Sequence, residues 1–94
     1  MTGIEMISLE RKEQIEKHGH TVKADALENA HEELIMGAIA LIHHNYAEMP
    51  SNWENTTINK MLNKSFLERL IVAGALLAAE IDRRILKEEQ LKDK

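Results

Sequence analysis

Five residues of this chain join a reactive or ligand-binding side chain to an unexpected place in the hydrophobic pattern: Arg11, Glu33, Trp53, Glu80 and Arg84. Arg11 interrupts a stripe made by Ile4, Ile7 and Ile15. Glu33 stands beside the stripe of Leu34, Ala38 and Leu41, and Glu80 follows Leu77 by three positions at the edge of another. A bare charge on a core-facing stripe is costly, so these positions must be paired or occupied. One solution is a partly buried ion-pair network joining three helices, with Glu80 bonded to Arg84 at i, i+4. The other is a cleft in which Arg11, Glu33 and Glu80 receive a ligand or a divalent ion. Arg11, Arg83 and Arg84 would then offer planar, always-charged forks to phosphate. Trp53 lies in a polar loop after Pro50. It either stacks on a ligand base or folds back as a lid on the helices.

Other chemistries find less to work with. Glu28-Asn29-Ala30-His31 has the Glu-x-x-His spacing that di-iron bundles use twice, but it occurs once. His18, His20, His31, His43 and His44 lack structural-zinc spacing and the chain has no Cys to assist, so solvated or capping histidines are expected and no metal site. Ser8, Ser51 and Ser65 have no nucleophile-elbow context, and the four glycines are isolated rather than gathered in a phosphate loop. The expectation is a protein without a catalytic residue or a resident cofactor.

Charge narrows the partners. Sixteen acids against twelve Lys and Arg give a net charge of −4, which argues against nonspecific nucleic-acid binding. The uncharged run Leu70 to Ala79 is half of the roughly 20 residues that span a bilayer. Glu5 and Glu10 near the start, with no apolar h-region, do not read as a signal peptide. The absence of Cys suits a reducing compartment. Together these predict a cytoplasmic chain with no membrane or nucleic-acid partner.

The elements that hold the candidate residues read as all-α, in one domain over residues 1–94. Periodicity predicts helix one over Ile4–Lys17, stopped by Gly19. A connector His20–Ala24 follows, then a second helix from Ala26 to about Tyr46, opened by Asp25 and Glu28. That helix carries two apolar stripes, Leu27, Leu34, Ala38 and Leu41 beside Ile35, Ile39, Ile42 and Tyr46, so several neighbours should bury it. Residues Ala47–Thr57 read as a loop and Ile58–Asn63 as a short turn. The last helix runs from Phe66 to about Glu89, opened by Ser65 and Glu68 as a capping box. The result is three main helices in a small bundle with a long C-terminal helix. About 24 residues at roughly 1.5 Å each make a rod near 36 Å, longer than a lone globule of this size covers. A homo-oligomer is therefore expected, with Gly74, Ala75, Ala78 and Ala79 as its close-packed seam.

Several motifs carry a family resemblance. Glu10-Arg11, Gln14-Ile15, Gly19-x-Thr21, Asp25, Glu33-Leu34 and Ala38 come first, followed by Ala73-Gly74-Ala75-Leu76 and Ala79-Glu80-Ile81-Asp82-Arg83. They resemble a family of small phage and prophage proteins reading ER-x-x-Q-I, E-G-W-T, G-E-L-A-x-A-A and A-G-A-L-I-x-A-E-I-D-R. Here His20 stands where the family prefers Trp, and Glu32 replaces the Gly before Glu-Leu. A weaker resemblance, through Glu28, Glu32, Glu33, Glu80 and Asp82, is to MazG-like all-α nucleoside triphosphate pyrophosphatases, which would imply Mg²⁺. The resemblance implies a phage origin. Analogy with small helical phage proteins that lack catalytic motifs leads to the expectation of a non-catalytic oligomer that sequesters a small nucleotide-derived immune signal of the host. The alternatives are the pyrophosphatase and a direct protein inhibitor of a host factor.

Overall fold

The computed structural model describes residues 1–19, 24, 29 and 32–92, without the side chains of His18 and Lys92. The described residues form four α-helices and no strand: α1 (Gly3–His18), α2 (Glu33–His43), α3 (Asn55–Leu62) and α4 (Phe66–Lys92). A single 3-10 turn, Tyr46–Glu48, precedes α3. The all-α class with a long final helix is thus as the sequence reads.

Local chemistry explains most boundaries. The Thr2 hydroxyl accepts the Glu5 N–H at 3.2 Å and the Glu5 carboxylate accepts the Thr2 N–H at 3.0 Å, a complete capping box that opens α1. The bond from the Thr2 N–H, more than that from its hydroxyl, holds the Glu5 carboxyl below its ordinary range. Gly19 ends α1 at φ 68°, in the left-handed region glycine enters freely. Ser65 opens α4 by accepting the Glu68 N–H, and the helix continues three residues past the expected end, to Lys92.

The second helix differs from expectation. Glu32 takes φ 70°, so α2 begins at Glu33 and helical backbone does not run through residue 32. The start expected at Ala26, with its Asp25–Glu28 cap, lies outside the described residues. At the other end His44 is also left-handed, φ 55°, and α2 stops at His43 rather than Tyr46. Its Nε2 donates to the Leu62 carbonyl at 2.9 Å, tying the ends of α2 and α3 together. The expected loop up to Thr57 is shorter too, because α3 starts at Asn55 and sends Ile58 and Leu62 into the core.

Helix α4 is the centre. Arg69 Nη1 donates to the Leu41 carbonyl at 2.7 Å near one end, and Leu76 faces Gly37 midway, so α2 runs antiparallel to it. Ile7 lies on Gly74, and Arg11 reaches Asp82 further along, so α1 runs parallel. Leu34, Ala38, Leu41, Ile58, Val72, Leu76 and Ala79 form the core between them. The small-residue face is consumed here. Ala73, Ala75 and Ala79 are buried within the chain, and Gly74 holds Ile7, so this face is not a free oligomer seam. What stays open is part of the second stripe, Ile39 and Ile42 on α2 with Tyr46 in the turn beyond it, and a row on α4 (Phe66, Leu70, Leu77, Ile81). No helix among the described residues is long and apolar enough to cross a membrane.

Candidate functional site

The ionic residues gather where the start of α2 meets the last third of α4. Glu80 is only 3% exposed, and its two oxygens are taken by neighbours on its own helix. Arg83 Nε donates to Oε1 at 2.6 Å and Arg83 Nη2 to Oε2 at 3.1 Å, a two-pronged contact at i, i+3. Arg84 Nε adds a third bond to Oε2 at 3.0 Å, the i, i+4 pair the sequence predicts. Charge-assisted, bidentate bonds of this kind are the strong ones. The Arg83 bond, opposed by burial and helped by Arg84, holds the Glu80 carboxyl below its ordinary range. Glu80 in turn raises Arg83, against burial, with smaller electrostatic help from Glu33 and Glu32. Arg84 remains half exposed, its Nη2 a long 3.9 Å from the exposed Glu32.

Arg11 belongs to the other flank of α4. It is 8% exposed and points from α1 to Asp82, with Nη2 at 3.7 Å from Oδ2. Positions 80 and 82 point about 200° apart around a helix, so Glu80 addresses α2 while Asp82 addresses α1. Arg11 and Arg84 consequently sit on opposite sides of α4 within one chain. On α1's side Arg11 and Lys12 border a groove of about 400 Å³ that also touches Ile7, Ile15, Glu16 and Ala78.

Trp53 folds back onto the bundle. A Cβ on Gly37 would meet its ring carbons Cη2 and, at 2.6 Å, Cζ3, so the indole rests on bare backbone there. Its Nε1 donates to Asn29 Oδ1 at 2.9 Å. Beside it, Glu33, Met36, Pro50, Ser51 and Asn52 line a hollow of about 280 Å³. Of the five candidates, then, Glu33, Glu80 and Arg84 share the α2–α4 junction, Arg11 lies across α4, and Trp53 covers Gly37.

Among the described residues no three His, Asp or Glu side chains converge to hold a metal ion. Glu28, His20 and His31 lie outside those residues, as does the His18 side chain. His43 bonds Glu48 through Nδ1 at 2.9 and 3.0 Å, which lowers the Glu48 carboxyl. Sequence reasoning grouped Arg83 with Arg84 as a free phosphate ligand, whereas Arg83 is the buried partner of Glu80. Its i, i+3 spacing from Glu80 was the available signal. No protein-family model, curated protein or solved structure matches this chain.

Proposed function

We propose that this chain is a phage-encoded, non-catalytic helical oligomer that binds a small nucleotide-derived signal of the host and sequesters it. The observation that carries the reading is the groove between α1 and α4, about 400 Å³ in volume, with Ile7, Ile15 and Ala78 along it and Arg11 and Lys12 beside them. Small-molecule sites typically enclose about 300–1,000 Å³ and are mostly apolar with a few placed polar groups. An apolar wall suits a base, and the Lys12 ammonium beside the Arg11 guanidinium supplies positive charge for a phosphate. The half-exposed Arg84 offers a second cation on the opposite flank. The phage setting rests on the motif resemblance, and the immune signal on analogy with small helical phage proteins that sequester such signals. The pyrophosphatase alternative draws no support from Glu80 and Asp82, whose carboxylates face guanidinium groups.

A thermal-shift screen over linear and cyclic nucleotides, with and without Mg²⁺, tests the reading. A stabilising nucleotide should come back chemically intact after heat denaturation of the complex. Arg11→Lys should weaken its binding while the fold persists, and added salt should weaken it as well, since the screening length is about 8 Å at physiological ionic strength. Release of pyrophosphate in place of intact ligand, or a flat screen, would overturn the proposal.

A further inference from the structure

Trp53 rests on Gly37 of α2 and Ile7 of α1 on Gly74 of α4, and beside these contacts an apolar row stays open on each helix among the described residues. On α2 the open row is Ile39 and Ile42, with the exposed Tyr46 in the turn beyond the helix. On α4 it is Leu70, Leu77 and Ile81, the last of these 59% exposed. At 100° per residue each row lies about 110° round its own helix from the line joining the two axes. Because the helices are antiparallel, both rows then point to the same side of the pair. No charged residue interrupts the centre of this face. Among the described residues charges stand at its ends, with Glu32 and Arg84 at one and Glu48 at the other.

We infer that this face is the contact surface for a second copy of the chain, the two α2–α4 pairs stacking as a four-helix bundle. Area supports the assignment. A monomer of 10.7 kDa exposes about 5,500 Å² by the usual mass scaling. This chain exposes 6391 Å², about 900 Å² more, an excess that this face shares with the exposed last turns of α4, and a standard interface covers about 800 Å² per partner. A helix apolar on two sides is one buried by several neighbours, and a two-fold supplies the missing neighbour from the same surface. A membrane surface fits less well, because interfacial helices flank their apolar face with Lys and Arg, whereas this chain is acidic and its face ends in both signs. The inference deepens the oligomer half of the proposed function and leaves the ligand half untouched.

Sedimentation equilibrium of the full chain should give a mass of two or more chains. Ile39→Asp with Leu77→Asp should reduce it to one chain with an unchanged helical circular-dichroism spectrum. Ile4→Asp, exposed on α1, should keep the wild-type mass. The chain has no cysteine, so Leu77→Cys adds a sole thiol. A short bismaleimide should join it to its copy, while Ile4→Cys should stay unjoined. That second variant decides the matter if the double aspartate protein fails to fold. A single-chain mass for the wild type overturns the inference, including the case where that monomer binds vesicles. So does an assembly that survives both aspartates in a helical protein. Ligand recovery after heating is read separately, so the two proposals can fail independently.

Discussion

The two sides of the α2–α4 pair are made from residues of different size. Where the chain covers itself, the helices present Gly37 and Gly74, and Trp53 and Ile7 rest directly on their backbones. On the uncovered side they present Ile39, Ile42, Leu70 and Leu77. Outside the core, small residues mark where another part of the chain rests, and exposed large aliphatic ones mark where none of the described residues does. The Glu80 cluster closes the end of the covered seam with charge instead of volume.

The comparison breaks most easily at that cluster. Glu80→Ala leaves Arg83 buried without its carboxylate and should cost about 3–5 kcal/mol in urea denaturation. A loss below about 1 kcal/mol, the size expected of an exposed pair, would show that the cluster is solvated. The pH dependence has a definite sign. The folded-state Glu80 carboxyl is held below its ordinary value, so its stabilisation is present above the ordinary glutamate range. It is lost as pH falls through the depressed folded value, and the gap between wild type and Glu80→Ala should narrow as the buffer is acidified.

Next in size is the covered side. Gly37→Leu must push the Trp53 ring away from the helix and should cost about 1–3 kcal/mol or more. The emission of this sole tryptophan should shift to the red. Unchanged emission would mean that the indole does not sit on Gly37. Smallest is the open side. Leu77→Ser should move the stability of the dilute, unassembled chain by no more than about 0.5 kcal/mol, as surface substitutions usually do. A cost equal to that of Gly37→Leu would erase the difference between the sides.

Helix α1 and its glycine stop, the Ser65 start and the central place of α4 were legible because each rests on local chemistry. So was the Glu80–Arg84 pair, which only needs helical spacing. The break at Glu32 was not. Glu28, Glu32 and Glu33 are good helix formers with no Gly or Pro among them, and a left-handed glutamate costs about 1–2 kcal/mol that tertiary contacts must offset. The small residues of α4 announce a close contact but not its partner, which is Ile7 of the same chain at Gly74, since spacing within one helix does not say what approaches it. Arg11 was legible as a residue needing a partner. That the partner is Asp82, on the far side of α4 from Glu80, follows only from the parallel docking of α1.

That parallel docking also sets an order of assembly. Ile7 meets Gly74, and Arg11 meets Asp82, so α1 joins α4 through residues near opposite ends of the chain. Helices α2, α3 and α4 close over much shorter stretches and lose less loop entropy in doing so. The α2–α4 pair is thus expected to form first and α1 to dock last. Refolding rates should respond to Leu41→Ala and hardly to Ile7→Ala, whose effect should fall on the unfolding rate.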